Sequence, residues 1–215
     1  MRRGMRRGMA TLAMAGVVGY VIVDLVLQLL PPHYSAIRDA ESDLAVGPFG
    51  WIMAINFFGR GITSAATIVA IRLTGPRSRT RAVGTALFAV AGAGSALIAF
   101  FPTDIPVVSG AGAMATTWHG VVHLAGASTG FVFALAAFWV LAFWLRRVGL
   151  PAGVRVAAAI FLAAASIGLA FLAATIIVAP DLLGLAERIC LAGILGWVFV
   201  LGVGIRRISP RSSGS

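Results

Sequence analysis

Six long apolar segments, joined by short loops that carry most of the charged residues, constrain this chain more than any other feature. Each segment can cross the roughly 30 Å hydrocarbon core of a bilayer as a helix. Since 60% of the residues are hydrophobic, a soluble fold of 215 residues could not bury so much apolar surface. The segments are predicted at 9–30, 48–72, 82–101, 117–145, 154–178 and 186–205. The sequence therefore predicts an all-α, polytopic membrane protein. It is expected to be a single six-transmembrane-helix bundle over residues 1–208, followed by a short disordered tail at 209–215.

The positions of the arginines predict the orientation of these helices. All 17 basic residues are arginines, and fourteen lie in the segments that alternate crossings would place on one side of the membrane. These fourteen are Arg2, Arg3, Arg6, Arg7, Arg72, Arg77, Arg79, Arg81, Arg146, Arg147, Arg155, Arg206, Arg207 and Arg211. Only Arg38 and Arg188 lie in the opposite loops. The positive-inside rule then predicts that both termini are cytoplasmic, in the plasma membrane.

The net charge of +10 does not indicate a nucleic-acid partner. The arginines form short blocks between apolar spans, without aromatic residues interleaved in a basic groove and without a nucleic-acid motif. Membrane lipids are the partners that this composition predicts. A lipid-like or amphipathic small molecule is a further candidate.

The acids and histidines collect on the side opposite the arginine blocks. The acids are Asp24, Asp39, Glu41, Asp43, Asp104, Asp181 and Glu187, and the histidines are His33, His119 and His123. The positive-inside rule does not require this asymmetry, because acids contribute little to it. Acid–base or metal chemistry is therefore expected near the outer membrane face.

The segment HGVVH contains the first candidate site. His119 and His123 are spaced i, i+4, so that they share one side of a helix, a spacing that suits two ligands of one zinc ion. Asp104 is the candidate third metal ligand, and Asp39 or Asp43 is a candidate base or further ligand. All five are candidate catalytic residues. The alternative is that the two histidines bond loop carbonyls and cap the outer end of the fourth span.

Arg60 marks the second candidate site, because a charge deep in a membrane span normally faces the bundle interior or water. Asp24 in the first span is expected to pair with it. This pair is either structural or part of a substrate site for an anionic group. Ser35 is a further substrate-binding candidate, in a hairpin whose residues 35–44 are spaced as a short amphipathic helix.

The hairpin SDL, the segment FPTD and the segment HGVVH resemble the DUF998 family of small multi-pass membrane proteins. The corresponding residues are 42–44, 101–104 and 119–123, and the likeness extends over essentially the whole chain. The resemblance implies a six-helix bundle and supports these polar positions, but no activity. A looser similarity is to membrane hydrolases of the alkaline ceramidase and adiponectin-receptor kind, which bind zinc through histidines and an aspartate. This chain lacks their seventh helix.

Three functions agree with these patterns. The first is a membrane-embedded enzyme that acts on a lipid or isoprenoid-like substrate at the outer leaflet. The second is a small transporter or flippase-like carrier with Asp24 and Arg60 along its path. The third is a non-catalytic subunit whose polar outer face binds a membrane partner.

Overall fold

The computed structural model describes residues 1–31, 34–105 and 115–208, and within these ranges it is helical with no strand. Six helices are long and apolar enough to span a membrane, which confirms the predicted all-α membrane fold. They are α1 (Arg2–Leu27), α2 (Gly50–Arg72), α3 (Arg79–Ile98), α4 (Trp118–Leu145), α5 (Ala152–Val178) and α6 (Leu183–Arg207). Two short 3-10 helices lie in the loops, Glu41–Ala45 before α2 and Pro180–Leu182 before α6. The tail predicted at 209–215 lies outside the described residues.

The starts of α1 and α3 differ from the prediction for identifiable local reasons. α1 begins at Arg2 rather than at residue 9, because the arginine-rich start is itself a good helix former. α3 begins three residues early, where the Ser78 hydroxyl accepts a hydrogen bond from the Arg81 N–H at 3.2 Å. α4 is capped in the same way by Thr117, which accepts from the Gly120 N–H at 3.1 Å.

The helices form a ring in which α6 is the most enclosed member. Helices adjacent in the chain pack against each other, α6 closes the ring against α1, and α4 and α5 meet over a much smaller area than the other neighbours. In α6, 61% of the most apolar 18-residue stretch is buried, whereas in α5 only 22% of the corresponding stretch is buried. α5 therefore covers the outside of α6, while α6 fills the middle of the bundle.

Aromatic side chains fill the centre between α3, α4 and α6. The rings of Phe138 and Trp197 stack with centroids 3.9 Å apart, and Phe88 lies 5.2 Å from Phe138. Phe138 and Trp197 are fully buried. Large rings in contact contribute about 0.5–1.5 kcal/mol per pair beyond their burial. This stack fixes α6 against α3 and α4.

Glycines allow two pairs of helices to approach closely. A Cβ atom at Gly94 would lie 2.7 Å from the Gly126 carbonyl oxygen, so α3 and α4 touch through their backbones. Between α5 and α6 a Cβ at Gly193 would lie 2.3 Å from the Ala165 nitrogen. Ala192, the residue before Gly193, is exposed.

The two ends of the bundle differ in charge. The N-terminal segment and the end of α6 meet where the Arg6 guanidinium donates to the Ile208 carbonyl at 3.0 Å. The turn after α2 lies beside the turn after α4, since a Cβ at Gly75 would be 3.0 Å from the Val148 side chain. The end of the bundle that holds the N-terminal segment, the end of α6 and these two turns is called the arginine-rich end. The opposite end, which holds the hairpin 34–49 and the starts of α4 and α6, is called the acidic end.

The glycine contact between α5 and α6 gives a stability prediction. Gly193→Ala should destabilise the protein by about 1–3 kcal/mol, because the added methyl meets backbone rather than a movable side chain. Thermal unfolding in detergent measures this change. The matched control is Gly153→Ala in α5, where a Cβ meets nothing within 4 Å and helix propensity alone should leave stability equal or higher. Equal melting temperatures for the two variants would contradict the proposed packing.

Candidate functional site

The hairpin between α1 and α2 folds over the start of α6. The Leu185 N–H donates to the Ile37 carbonyl at 2.9 Å, which joins the hairpin to the first turn of α6. Gly184 makes this approach possible, because a Cβ there would lie 2.2 Å from the Asp39 carbonyl oxygen. The amphipathic helix predicted at 35–44 is not present. A turn followed by the 3-10 helix Glu41–Ala45 takes its place.

Arg188 on α6 holds the hairpin in this position. Its guanidinium donates to the carbonyl oxygens of Ala36 at 2.9 Å and Asp39 at 3.3 Å. It also donates to the Tyr34 hydroxyl and lies 5.5 Å from the centroid of that ring. The Tyr34 hydroxyl in turn donates to the Ala40 carbonyl at 3.0 Å. One cation thus satisfies two carbonyl oxygens of an irregular loop, and that of Asp39 accepts otherwise only a long bond of 3.5 Å from the Tyr34 hydroxyl within the described residues.

The docked hairpin places a carboxyl inside the bundle. Glu41 is only 3% exposed, and its Oε2 accepts a hydrogen bond from the Tyr20 hydroxyl of α1 at 2.8 Å. Its backbone N–H donates to Oε2 of Glu187 on α6 at 2.7 Å. Asp24, one turn after Tyr20 on α1, also interacts with the Glu41 carboxyl. Three carboxyl groups from two helices and the hairpin therefore converge.

Arg60 extends the set of contacts into the bundle. Its Nη1 donates to the Tyr20 hydroxyl at 3.0 Å and its Nε donates to the Ser95 hydroxyl of α3 at 2.6 Å. The guanidinium also lies over the rings of Tyr20 and Phe57, 5.2 and 5.4 Å from their centroids. A continuous polar network thus runs through Ser95, Arg60, Tyr20, Glu41 and Glu187, and it links α3, α2, α1, the hairpin and α6.

The charges of this region balance only if at least one carboxyl holds a proton. Three carboxylates, at Asp24, Glu41 and Glu187, face two guanidiniums, at Arg60 and Arg188. Full ionisation would leave one uncompensated negative charge in a buried site, which is costly. Burial, followed by the repulsion of Glu187, raises the pKa of Glu41 to about 8. A proton on this cluster near neutral pH removes the excess charge.

Asp43 of the hairpin belongs to the same electrostatic region. Burial, followed by the charges of Glu187 and Asp39, raises the pKa of Asp43 to about 7. The carboxylate of Asp39 instead closes the hairpin turn, because it accepts a hydrogen bond from the Ser35 N–H at 2.6 Å. Ser35 and Asp39 are therefore joined by a local turn contact, and Asp43 lies nearer the buried acids.

A cavity adjoins Arg60, and Glu41 is not among its lining residues. The centres of water-sized molecules can occupy about 40 Å³ of it, and all the space between its walls, with the open mouth included, is about 470 Å³. Its polar wall is formed by Arg60, Thr63, Ser64 and Ser95. The remaining wall is apolar and comes from α3, α4 and α6: Phe88, Ala91, Ala127, Gly130, Phe131, Ala134, Leu191, Ile194, Leu195 and Val198. Within the described ranges the hydrogen bonds of Arg60 use Nε and Nη1, and none uses Nη2.

The expected direct pair between Asp24 and Arg60 is not among the hydrogen bonds of the described residues. Asp24 accepts from the Gln28 amide at 2.6 Å, while Arg60 bonds Tyr20 and Ser95. Both residues lie in the polar region, but Tyr20 and Ser95 take the contacts with Arg60. Tyr20 on α1 lies level with Arg60 on α2 and accepts a hydrogen bond from its guanidinium. The depths of Asp24 and Arg60 in their spans did not indicate this contact.

Asp104 fixes the start of α4. Its carboxylate accepts from the backbone N–H groups of Thr116 at 2.6 Å and Thr117 at 2.7 Å, and from both of their hydroxyls. These bonds, the backbone N–H of Thr117 first, lower the pKa of Asp104 to about 2. Asp104 therefore stays ionised at neutral pH.

The two histidines of α4 have different surroundings. His119 lies against the Trp118 ring, with centroids 3.7 Å apart, and is partly exposed. His123 is 3% exposed, its Nδ1 lies 2.7 Å from the Phe101 carbonyl oxygen, and its Nε2 is buried without a partner. Within 1–31, 34–105 and 115–208, no group of three His, Cys, Asp or Glu side chains could hold a metal ion. A zinc ion bound by His119, His123 and Asp104 stays a prediction, and His33 lies outside the described residues.

The hairpin acids were expected over these histidines, but the hairpin contacts the start of α6 instead.

Sequence reasoning did not select Tyr20, Glu41, Glu187 or Arg188 as site residues. Glu187 and Arg188 do carry a signal, because adjacent opposite charges at the start of an apolar span are uncommon. Tyr20 carried none, since an aromatic residue in a span is ordinary.

Six helices long and apolar enough to span a membrane, around a buried carboxyl, tyrosine and arginine network, define this molecule as a multi-pass membrane protein. The chain belongs to the family described as Protein of unknown function (DUF998), whose model matches residues 14–204. Comparisons with curated proteins and with solved structures gave no significant match.

The raised pKa of Glu41 predicts how stability depends on pH. The unfolded carboxyl titrates at about 4.3, so between about pH 4.3 and 8 the folded protein keeps a proton that the unfolded chain has lost. The free energy of unfolding should therefore fall as the pH rises through this window, by at most about 1.4 kcal/mol per pH unit for one proton. Glu41→Gln, which keeps an acceptor for Tyr20, should flatten this slope in thermal unfolding between pH 5 and 8.

A residual slope from Asp43 should remain in the variant, because the pKa of Asp43 is also raised, to about 7. Asp181→Asn removes an exposed acid and is the matched control, for which the wild-type slope is expected. An unchanged slope in Glu41→Gln would show that Glu41 does not hold the proton.

Proposed function

We propose that this protein is a carrier that binds an amphipathic anion in the cavity beside Arg60 and takes up a proton with it. The observation that supports this function best is that a single guanidinium faces both the cavity and the buried carboxyl cluster. Arg60 lies about ten residues into α2, or roughly 15 Å along the helix, which is deep for a charge without function.

The cavity walls define the class of ligand. The Arg60 guanidinium suits a phosphate or a carboxylate, because both accept charge-assisted hydrogen bonds from its N–H groups. The hydroxyls of Thr63, Ser64 and Ser95 already donate to backbone carbonyls and only make this part of the wall polar. The opposite wall offers only apolar side chains, among them Phe131 and Leu195. A molecule with one anionic head and an apolar chain matches both walls. The loosest packing in the ring, between α4 and α5, offers such a molecule a lateral route from the bilayer.

The coupling to protons follows from charge balance. Glu41 and a bound anion would both depend on the positive charge of Arg60, and one cation in a low-dielectric site cannot compensate two anions. Binding of the anion therefore favours protonation of Glu41 or Glu187. The bound complex is then close to neutral, which lowers the cost of moving it through the membrane.

A carrier is favoured over an enzyme because the described polar lining of the cavity consists of Arg60 and hydroxyl groups, with no carboxyl or imidazole among them. The second candidate is an enzyme acting on a lipid or isoprenoid-like substrate, with His119, His123, Asp104, Asp39 and Asp43 as catalytic candidates. One observation favours it: the Nε2 atom of His123 is buried without a partner, and Ala127, one helical turn later, lines the cavity.

The proposed orientation places the arginine-rich end in the cytoplasm and the acidic end toward the outer face of the plasma membrane. The distribution of arginines supports it. In this orientation the buried carboxyls lie nearer the outside.

Cysteine labelling of whole cells tests this orientation. In a Cys190→Ala background, Ile105→Cys at the acidic end should react with a membrane-impermeant maleimide from outside. Arg77→Cys at the arginine-rich end should react only after the cells are opened. The opposite pattern would invert the proposed orientation.

The ligand site is tested with purified protein in lipid nanodiscs and radiolabelled dodecyl phosphate, with dodecanol as the uncharged competitor. Arg60→Gln should weaken dodecyl phosphate binding at least about tenfold, because a hydrogen bond to a charged group contributes about 1.5–3 kcal/mol. Arg79→Gln removes an exposed arginine and should bind as the wild type does. Equal affinity in the wild type and Arg60→Gln would rule out the site.

Proton uptake is read from calorimetry of the same binding in buffers of different ionisation enthalpy. The wild type should take up protons on binding, whereas Glu41→Gln should bind without this uptake.

In proteoliposomes the carrier should exchange labelled dodecyl phosphate across the membrane. Release of dodecanol, detected by mass spectrometry and lost in His123→Ala, would instead support the enzyme.

A further inference from the structure

A groove at the arginine-rich end lies between the start of α1 and the end of α6. It is lined by Arg7, Met14, Val203, Arg206 and Arg207 and has an empty volume of about 760 Å³, which includes open solvent. The two helices close together at its floor, where a Cβ at Gly202 would lie 2.7 Å from Cγ of Met14. The groove is separate from the cavity beside Arg60, since the linings share no residue.

The rim of the groove concentrates positive charge, and none of its lining residues carries a carboxylate. Three of its five lining residues are arginines. All seven acids of the chain lie toward the acidic end in sequence: Asp24, Asp39, Glu41, Asp43, Asp104, Asp181 and Glu187. Charges of one sign that are held close together repel each other, so an external anion at this rim stabilises the arrangement.

One of these charges is held in place over the groove. The Arg206 guanidinium donates to the Thr11 hydroxyl of α1 at 2.7 Å, so the side chain crosses from α6 to α1. A guanidinium that is already fixed loses less conformational entropy when it binds an anion than a free surface arginine does.

Below the charged rim the wall becomes apolar. Met14 lies seven residues after Arg7 on α1, which is about 10 Å deeper along the helix. Val203 lies one turn before Arg207 on α6 and faces the same groove. A ligand that fits both parts has an anionic head at the helix ends and a hydrocarbon chain that runs down between α1 and α6.

We propose that this groove binds the phosphodiester headgroup of an anionic glycerophospholipid. Its phosphate accepts hydrogen bonds from Arg7, Arg206 and Arg207, and one acyl chain lies along Met14 and Val203. The position of the groove at the helix ends matches the depth at which lipid phosphates lie in a bilayer. The apolar wall favours a lipid over a free phosphate ion, because the ion has no apolar group that could contact this wall.

Native mass spectrometry of the purified full-length protein tests this site, with dioleoylphosphatidylglycerol and dioleoylphosphatidylcholine added in equal amounts. The wild type should retain the anionic lipid preferentially. Arg206→Gln/Arg207→Gln should weaken its retention about tenfold or more, since basic residues near anionic lipid each contribute severalfold to binding. The matched control, Arg77→Gln/Arg79→Gln, removes the same charge from two exposed positions at the same end outside this groove. It should retain the lipid as the wild type does.

A second variant separates the lipid from free phosphate and from general surface charge. Val203→Trp fills the apolar wall while it keeps all three arginines, and it should lose the anionic lipid. Inorganic phosphate at the same concentration should not displace the lipid from the wild type. Equal losses in the two double variants, or retention in Val203→Trp, would overturn the proposal. Because Arg206 also bonds Thr11, Arg7→Gln alone gives an independent test should the double variant not fold.

Discussion

The positive charge of Arg60 in the middle of α2 is the constraint on which the acidic end of this protein depends. A guanidinium at that depth needs hydrogen-bond acceptors and a counter-charge from the protein. Ser95 and Tyr20 supply the acceptors, and Glu41 supplies the nearest carboxyl through the Tyr20 hydroxyl. Glu41 belongs to a loop and not to a helix. The loop must therefore enter the bundle, and Arg188 and Gly184 on α6 provide the surface that receives it.

Two features meet at Arg60. On one side lies a cluster in which the acids outnumber the arginines, and burial raises the pKa of Glu41 to about 8. Arg60 also lines a cavity whose remaining wall is mostly apolar. In the carrier that we propose, the carboxyl cluster and an anion in this cavity depend on one cation, so the occupancy of one affects the other.

The sequence predicted the architecture well because the physical signal for membrane helices is strong. Length, hydropathy and the arginine blocks determined the six helices, and most boundaries were close to those observed. The polar sites were harder to predict. The spacing of His119 and His123 placed them on one helix, but whether a carboxyl reaches them depends on where the loops fold. Asp104 is instead taken up by the backbone of Thr116 and Thr117. Glu41 could not be told from its neighbours Asp39 and Asp43, because only the docked loop decides which acid enters the bundle.

The small contact between α4 and α5 bears on how the protein is made. The first four helices pack in chain order, while α5 and α6 form a separate hairpin whose α6 fills the centre. Helices enter the membrane in the order of synthesis, so α6 arrives after the others have already met. Until then Trp197 is missing from the aromatic stack, and Glu187 and Arg188 are missing from the polar end. During that interval the start of α6, on which the hairpin with Glu41 docks, is not yet present. Tyr20 and Ser95 can bond Arg60 before α6 arrives, but the Glu41 carboxyl docks beside Tyr20 only when the last span closes the ring.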